Sequence, residues 1–488
     1  MRIRRWRGFR PFGEPLDGRW LPSGFTPSQI VDAYGLGGIV FHSSTGASIA
    51  ADGTGQTIAI VDEYHDANLQ ASLNVFDMQY GLPSLTVNVI NQAGNQSDSG
   101  WATEETLDVE WAHAIAPGAK ITVVESSPGT TSSQEFTNLI NAVKTASQAP
   151  GVSVVSMSWG YTESSGESSN DSTFLASGVT FIAASGDSGV IQWPSTAPGV
   201  LSVGGTSLTL SGSGGYGSET GWNNAGGGVS SFETESSFQK VVQTTGNRST
   251  PDVSFDGNPQ TGVSIYVIPP GAPADQGKWG VVGGTSVGAP AWAGIMAIID
   301  QGRGLVGLAS LTGATQALPT IYALPASDFN KAPISVGGSV SNMAIGTSNY
   351  NTQAGLGSPA GAAFIDAMVN STTSASTPSP SPTSSPGTPP GLRPSPPPIP
   401  IFGPSPTPPP VIGPQPAPLP TPTPSTTPPP APPPQPAPGP SSPAPKRRHV
   451  HVAKPKLHHP RVRHPLLGKA PGHVKDRLPG LPRHYRAS

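Results

Sequence analysis

The chain has 488 residues, with 60 glycines, 59 prolines and no cysteine, and its formal net charge is −3 at pH 7. The lack of cysteine excludes disulfides and metal sites built on thiolates, and no apolar run reaches the length of about 18 residues that predicts a membrane span. Between Leu21 and Ser376, seven basic residues stand against 26 acidic ones, which argues against nucleic-acid binding by this region.

The N-terminal segment, residues 1–24, is basic and lacks the apolar stretch of a secretory signal. From Pro15 to Ser23 it resembles the end of the arginine-rich leaders that some bacterial exported proteins carry. We therefore expect an exported protein that acts outside the cell or at its surface. A disordered basic start of a cytosolic protein is the alternative.

Residues 25–370 are predicted to form one catalytic domain of the α/β class. Apolar β-like runs alternate with helix-like stretches, the pattern of a mostly parallel central sheet flanked by helices. The predicted elements are a strand over Thr57–Val61, a helix over Asp66–Tyr80, a strand over Lys120–Val124, a helix over Ser133–Ser147, strands over Val152–Met157 and Val179–Ala184, and a helix over Ser286–Ile298. Catalytic side chains are expected where such strands end.

Two segments without a core follow the domain. Residues 371–445 are dominated by proline, serine and threonine, so we expect a disordered linker. Residues 446–488 hold twelve Lys or Arg residues and seven of the ten histidines. This basic tail is predicted to adhere to an anionic cell surface or wall, and a merely solvated tail is the alternative.

Two acidic residues at helical spacing are the first candidate catalytic groups. Glu104 and Asp108 are four positions apart, so on a helix they lie on one face. Two like charges at this spacing are unfavourable unless they share a proton, which is what a carboxylate base and its orienting partner do. A solvated acidic helix face is the alternative interpretation.

Asp187 follows the last of the four predicted strands, within Ser185–Gly189. A protonated Asp at a strand end can donate a hydrogen bond to a developing oxyanion, although turn chemistry also explains an Asp among glycines. The same segment suggests Ser188 as the nucleophile of a chymotrypsin-type protease. That reading fails, because the chain has no cysteine, no matching histidine motif and no β-barrel strand pattern.

Ser286, within Gly284–Pro290, is the candidate nucleophile. A serine in the first turn of a helix, after small residues, is expected to expose its hydroxyl in the positive field of the helix N-terminus. This position suits attack on a carbonyl, and an ordinary N-cap is the alternative. The histidines of the domain are outside any subtilisin-type motif: His42, His65 and His113. A carboxylate base, which works at low pH, is the remaining choice.

The order of these motifs resembles that of the sedolisins, the serine-carboxyl peptidases. In chain order the motifs are Glu104 and Asp108, then Ser158, Trp159 and Gly160, then Ser185–Gly189, then Gly284–Pro290. The resemblance runs from Thr26 to Pro359, nearly the whole domain. Several unrelated motifs in one order are far more specific than any one of them alone.

This resemblance implies a subtilisin-like fold and a serine endopeptidase that acts at acidic pH. Carried over to this chain, it makes Ser286 the nucleophile and Glu104 the base that takes its proton. Asp108 orients Glu104 and shares its charge, and protonated Asp187 stabilises the oxyanion. The segment Ser158–Gly160 is then the edge of the cleft that binds extended substrate.

The chain departs from the family at two points that bear on activity. Members are usually made with a long N-terminal prosegment that assists folding, whereas this chain begins almost at the domain. We expect that the domain folds unaided, uses another chain, or is inactive. Asp62 occupies the position at which some members extend the catalytic network with Glu, so the resemblance leaves that extension open.

A third departure concerns calcium. Family members typically hold one Ca²⁺ with two Asp side chains and backbone carbonyls, but Lys331 and Asn351 occupy those Asp positions. Because Ca²⁺ needs six to eight oxygen ligands, we expect no metal and no cofactor. The ammonium of Lys331 is predicted to take roughly the metal's place and to donate to Asn351. With a shifted register, Asp328 would be a ligand instead.

Three functions remain open at this stage: an endopeptidase, a tripeptidyl-peptidase-like exopeptidase, and a catalytically silent relative that binds surfaces. The intact catalytic motifs favour a peptidase. We expect a protein or peptide substrate, no nucleic-acid partner and a monomer.

Overall fold

The computed structural model of the chain describes residues 24–43, 45–335 and 349–372. The basic tail, nearly all of the linker and residues 1–23 lie outside the described residues, so the predictions for them stay predictions. Among the described residues, no helix is long and apolar enough to cross a membrane.

The described residues fold into seven α-helices and 18 strands, many of them short. The helices are α1 (Pro27–Ala33), α2 (Leu69–Tyr80), α3 (Ser99–Ile115), α4 (Ser132–Ser147), α5 (Thr285–Leu305), α6 (Leu318–Ala323) and α7 (Ala362–Val369). The strands are β1 (Val40–His42), β2 (Ser48–Ala50), β3 (Thr57–Glu63), β4 (Asn88–Asn91), β5 (Lys120–Ser126), β6 (Val152–Met157), β7 (Tyr161–Thr162), β8 (Thr180–Ala184), β9 (Gln192–Trp193), β10 (Val200–Leu210), β11 (Tyr216–Gly221), β12 (Gly228–Thr234), β13 (Asn247–Thr250), β14 (Val253–Asp256), β15 (Val263–Val267), β16 (Lys278–Val282), β17 (Phe329–Asn330) and β18 (Ser358–Pro359).

An eight-stranded sheet forms the centre of the fold. Its strands follow the order β11–β10–β8–β6–β3–β5–β4, and β14 also pairs with β10. All of these pairings are parallel except that of β10 with β11. Because parallel strands end at the same edge, the residues that follow β3, β6 and β8 meet there. The sheet with helices on both faces confirms the predicted α/β class.

The central strands are apolar throughout because both faces of the sheet are covered. In β3, Ile58 and Ile60 belong to the core under α3 and α5, whereas Ala59 and Val61 belong to the core under α4. Asp62 continues the alternation of Ile58 and Ile60 on that side of the strand. Since side chains alternate along a strand, its carboxyl faces α3 and α5.

The boundaries of the predicted elements differ from the observed ones by a few residues. The helix predicted from Asp66 begins at Leu69. Asp66 instead closes the turn before the helix, where its Oδ1 accepts the N–H of Asn68 at 2.9 Å. A short polar side chain that bonds nearby backbone competes with helix formation, which explains the later start.

Candidate active site

Ser286 lies in the first turn of α5, directly after Thr285 and the N-cap residue Gly284. The prediction that its hydroxyl is exposed is wrong. Ser286 is only 1% exposed, and its Oγ has no hydrogen-bond partner among the described residues. The physical reason is that α3 covers the start of α5.

The two helices pack closely, and they run in the same direction, because Ser286 lies beside Glu104 and, further along both helices, Gly294 lies beside Ile115. A Cβ on Gly294 would lie 2.8 Å from the side chain of Ile115 and 3.3 Å from the carbonyl of Ala112, so only glycine permits this contact. About two turns earlier on each helix lie Ser286 and Glu104. The same packing that buries the serine therefore brings the predicted base to it.

Glu104 and Asp108 form a coupled carboxyl pair beside the serine. Burial raises the pKa of Glu104 to about 8, with contributions from the charges of Asp62 and Asp187, while the Ser286 hydroxyl opposes this shift. The contact to Ser286 is looser than a formed hydrogen bond, since Glu104 Oε1 has no partner among the described residues. Burial, Asp62 and Glu104 raise the pKa of Asp108 well above its ordinary value.

Asp62 is a further member of this group of carboxyls, since its charge acts on both Glu104 and Asp108. It is fully buried at the end of β3, and neither of its carboxyl oxygens has a partner among the described residues. Burial and the charge of Glu125 raise its pKa to about 7. In the acid range Asp62 is therefore predominantly neutral, and it titrates together with the coupled carboxyls of Glu104 and Asp108.

Asp187 is held at the start of α5 by Thr285. Its Oδ1 accepts hydrogen bonds from the N–H and from the hydroxyl of Thr285, both at 2.8 Å. Oδ2 lies against Gly284, where a Cβ would come within 2.5 Å of it, and the φ of +125° also favours glycine there. Asp187 is half-buried, and this burial raises its pKa to about 6.

The segment Ser158–Gly160 follows β6 at the same edge of the sheet. Ser158 Oγ donates to Asp108 Oδ1 at 2.8 Å, and Trp159 Nε1 donates to the carbonyl of Val61 at 2.9 Å. Both side chains are buried in the domain. Ser158 thus fixes the orientation of the Asp108 carboxyl.

Sequence reasoning missed Gln192. Its side-chain amide lies between two glycines of the site, since Oε1 would meet a Cβ added at Gly160 at 2.8 Å and would also clash with one at Gly186. Gly160 belongs to the predicted substrate edge, and Gly186 precedes Asp187. Nothing in the local pattern marks Gln192, because only the tertiary fold brings β9 to this place.

Sequence reasoning also missed a second set of acids behind the first. Glu105 is buried, and its pKa is raised well above the ordinary value by burial and by the charges of Asp62, Glu125 and Asp66. Glu125 is the β5 neighbour of Asp62, and both of its carboxyl oxygens contact His65 Nδ1, at 2.7 and 2.8 Å. Of the two consecutive glutamates in α3, Glu104 therefore lies beside Ser286, whereas Glu105 lies beside Asp62, Asp66 and Glu125.

In the region that corresponds to the family's calcium site, Lys331 and Asn351 occupy the expected Asp positions. Lys331 is exposed, and no hydrogen bond joins it to Asn351 within the described residues. Asn351 Oδ1 instead accepts the N–H groups of Gln353 and Ala354, at 3.0 and 2.9 Å. The predicted lysine–asparagine contact is therefore wrong, because a local turn already uses that oxygen. A cation and an engaged amide are poor calcium ligands.

The structure thus brings Glu104, Asp108, Asp187, Ser286 and Ser158–Gly160 to one edge of the sheet, as the sequence predicted. Among the described residues, no cluster of three or more His, Asp or Glu side chains has a geometry that could hold a metal ion.

The sequence of this chain is similar to those of known peptidases. The profile of the Subtilase family matches residues 90–315. Kumamolisin from Bacillus sp. (strain MN-32) is 31% identical over 396 residues, which cover 72% of this chain and 65% of kumamolisin. Sedolisin from Pseudomonas sp. (strain 101) is 29% identical over 294 residues, which cover 53% of this chain and 47% of sedolisin.

A solved structure agrees on the fold. Pseudomonas sedolisin, a serine-carboxyl proteinase, complexed with two molecules of pseudo-iodotyrostatin, superimposes with a TM-score of 0.58 at 24% identity. The match covers 71% of this chain and 98% of that one. The matched part of this chain spans 65% of the length of kumamolisin and 47% of the length of sedolisin. The predicted resemblance is confirmed, and these matches support a catalytic domain of the sedolisin family, the serine-carboxyl peptidases.

Proposed function

We propose that this protein is a serine endopeptidase that hydrolyses peptide bonds of protein substrates at acidic pH. The observation that carries the proposal is the meeting of Ser286 with the coupled carboxyls of Glu104 and Asp108, next to Asp187 at the same helix start. A histidine base would be protonated in acid, whereas a coupled carboxyl pair that shares one proton can carry the single charge that accepts the serine proton.

In the proposed reaction, Ser286 Oγ attacks the carbonyl carbon of the scissile bond while its proton passes to the carboxylate of Glu104. Asp108 shares the resulting proton and charge with Glu104, and Ser158 fixes the orientation of Asp108. The C–N bond then breaks as the leaving amine takes the proton from Glu104. Water, deprotonated by the same carboxylate, hydrolyses the acyl-enzyme and returns the proton to Ser286.

Asp187 is proposed to stabilise the oxyanion. Its Oδ1 is occupied by Thr285, so a proton on the other oxygen, Oδ2, is the one that it can donate. This donor exists only below the raised pKa of about 6. We propose on this ground that the enzyme works in an acidic environment outside the cell.

The proposal is tested by incubating the purified full chain with a denatured protein at pH 3 to 7 and identifying the products by mass spectrometry. Internal cleavage in acid that Ser286→Ala abolishes supports it. Release of tripeptides from the N-terminus alone would show exopeptidase action instead. If the wild type and Ser286→Ala both leave the substrate intact, the silent surface-binding relative is the better description.

A further inference from the structure

The turn between β3 and α2, residues 64–68, lies against the buried carboxyl groups of the site. It begins at Tyr64, whose φ of +69° is the one positive φ of a residue other than glycine in the described part of the chain. A backbone of this kind is strained and persists only where surrounding contacts hold it. The Tyr64 N–H donates to the carbonyl of Ser126 at 3.0 Å, and the His65 N–H donates to that of Gln96 at 2.8 Å. The turn thereby brings the side chain of His65 back to β5.

On β5 this side chain meets Glu125, whose carboxyl group is fully buried. His65 Nδ1 lies 2.7 Å from Oε1 and 2.8 Å from Oε2 of Glu125. The N–H of Asp66 also donates to Oε1, at 3.3 Å. Because a carboxylate only accepts hydrogen bonds, two donors directed at one carboxyl group favour its ionised form. The contacts therefore indicate that Glu125 carries a negative charge and that His65 donates to it from Nδ1.

Asp62 is the neighbour of Glu125 and has the opposite surroundings. The parallel register of β3 and β5 places the two residues side by side on the same face of the sheet. Neither carboxyl oxygen of Asp62 has a hydrogen-bond partner among the described residues. Nothing there replaces the water that a charged carboxylate loses on burial. Next to an ionised Glu125, Asp62 is therefore the carboxyl that keeps its proton.

Glu104 and Asp108 have polar neighbours that Asp62 lacks. Ser158 Oγ donates to Asp108 Oδ1 at 2.8 Å, which favours a negative charge on Asp108. Glu104 lies beside the hydroxyl of Ser286. A single charge shared by Glu104 and Asp108 can accept the serine proton. A charge that rests on Asp62 instead leaves Glu104 protonated and unable to act as the base.

Glu125 distinguishes Asp62 from the coupled carboxyl pair at the nucleophile. The titratable groups that face Glu125 are Asp62 from β3, Glu105 from α3, and His65 and Asp66 from the turn. Burial is the main cause that raises the pKa of Asp62 to about 7, that of Asp66 to about 6 and that of Glu105 well above its ordinary value. The charge of Glu125 adds to each of these three shifts. The coupled pair is subject to other charges.

We propose that Glu125 is a positioning residue whose carboxylate keeps the proton on Asp62. The single negative charge of the buried carboxyls is thereby confined to Glu104 and Asp108, where it can accept the serine proton. Without the charge of Glu125, Asp62 competes for the negative charge, and a larger fraction of the molecules has no base. This role deepens the proposed peptidase mechanism and rests on it for its effect on turnover.

A titration of the carboxyl groups by ¹³C NMR tests this role without reference to activity. The full chain is labelled at the side-chain carboxyls of Asp and Glu, and the Asp62 signal is identified by its absence from Asp62→Asn. At pH 5 we expect the wild type to have Asp62 protonated and Glu125 ionised. In Glu125→Gln, the midpoint of the Asp62 titration should fall by about one pH unit or more, because the repulsion by a neighbouring charge is removed.

The control is Glu110→Gln, which changes another buried glutamate. Glu110 lies on α3, accepts the N–H of Tyr266 at 3.1 Å and is influenced by Asp77. This variant should leave the Asp62 midpoint unchanged. A midpoint that stays the same in Glu125→Gln, or that shifts equally in the control, would overturn the proposal. A wild type with Asp62 ionised or Glu125 protonated at pH 5 would do so as well, and this result decides even if Glu125→Gln does not fold.

Kinetics connect the titration with turnover. Glu125→Gln should lower kcat at pH 5 by up to about tenfold, since one pH unit is a tenfold change in how the charge is divided. The same substitution made in Asp62→Asn, and compared with Asp62→Asn itself, should have almost no effect, because an amide at position 62 cannot take up the charge. Equal losses in the two backgrounds would show a merely structural role and contradict the link to catalysis. If the wild type cleaves nothing, the proposed function fails, and the NMR titration still decides whether Glu125 keeps the proton on Asp62.

Discussion

Ser286 lies beside two carboxyl groups, those of Glu104 and Asp108, that hold their protons unusually tightly. The pKa of Glu104 is raised to about 8 and that of Asp108 is also raised, because burial leaves little solvent to stabilise a charge on either group. Coupled groups of this kind lose protons in steps that belong to the pair. In the proposed reaction, the form that accepts the serine proton is the one in which the pair carries a single charge.

A test at this scale compares Ser286→Ala and Glu104→Gln with their double variant. Each single change should lower kcat by on the order of 10³-fold or more, and the double variant should be little worse, because the two residues act as a unit. Peptide turnover gives the rates, and thermal melting confirms that each variant folds. Ordinary turnover in Ser286→Ala would show that the nucleophile has been misassigned.

Asp187 gives a prediction for how kcat depends on pH. Since its pKa is raised to about 6, the oxyanion donor is protonated below that pH and lost above it, so kcat should fall as the pH rises through about 6. In Asp187→Asn, Oδ1 can still accept from Thr285 and the amide can donate at every pH. We expect this variant to keep activity in acid and to lose the fall near pH 6. The same fall in both proteins would exclude Asp187 as its origin.

At the scale of helices and strands, the sequence predicted the structure wherever a local pattern of residues determines it. The buried runs of β3, β5, β6 and β8 predicted a parallel sheet, and the motif order predicted which strand ends carry the site. Burial of Ser286 was not predictable in this way, because it depends on the parallel packing of α3 against α5 through Gly294. Gln192 was missed for the same reason, since β9 meets β7 only in the folded chain.

The turn at Asn351 gives a prediction for calcium. Asn351 Nδ2 donates to the Ala332 carbonyl at 3.1 Å, and its Oδ1 accepts two backbone N–H groups, so this side chain joins two segments without a metal. Asn351→Ala should destabilise the domain by about 1–3 kcal/mol, the usual cost of unsatisfied buried groups. Lys331→Ala, at an exposed position, should change stability by less than about 0.5 kcal/mol.

The measurement is the melting temperature with millimolar calcium and with chelator. We expect the wild type to melt at the same temperature in both, because ligands that do not bind the native state do not stabilise it. A clear rise with calcium would show that the site binds metal after all, with Asp328 or other oxygens as ligands.

On the scale of the whole molecule, the described part of the chain buries many carboxyl groups that form no ion pair with a lysine or an arginine. Those with raised pKa include Asp62, Glu105, Glu110, Asp256 and Asp300. Burial is the largest cause for each. Such groups are neutral in the folded protein in acid, so the domain is built to be stable where its proposed chemistry operates.

This composition predicts how stability depends on pH. A carboxyl with a raised folded-state pKa binds its proton more tightly when folded than when unfolded, so the free energy of unfolding falls as the pH rises from about 4 through the raised values. For Asp62 and Asp300 these values are about 7. The melting temperature at constant ionic strength should therefore be highest in acid and decline steadily from pH 5 to pH 8. A flat or rising profile would contradict the prediction.

Asp300→Asn isolates one contribution to this profile. Asp300 is buried in α5 and its Oδ1 accepts the N–H of Leu311 at 2.9 Å, a bond that an asparagine oxygen can keep. The amide resembles the protonated carboxyl but cannot ionise. The variant should therefore melt near the wild-type temperature at pH 5 and above it at pH 8, which makes its decline shallower. If the two proteins instead decline in parallel, Asp300 stays neutral or is stabilised as an ion over this range, and the loss of stability arises at other carboxyls.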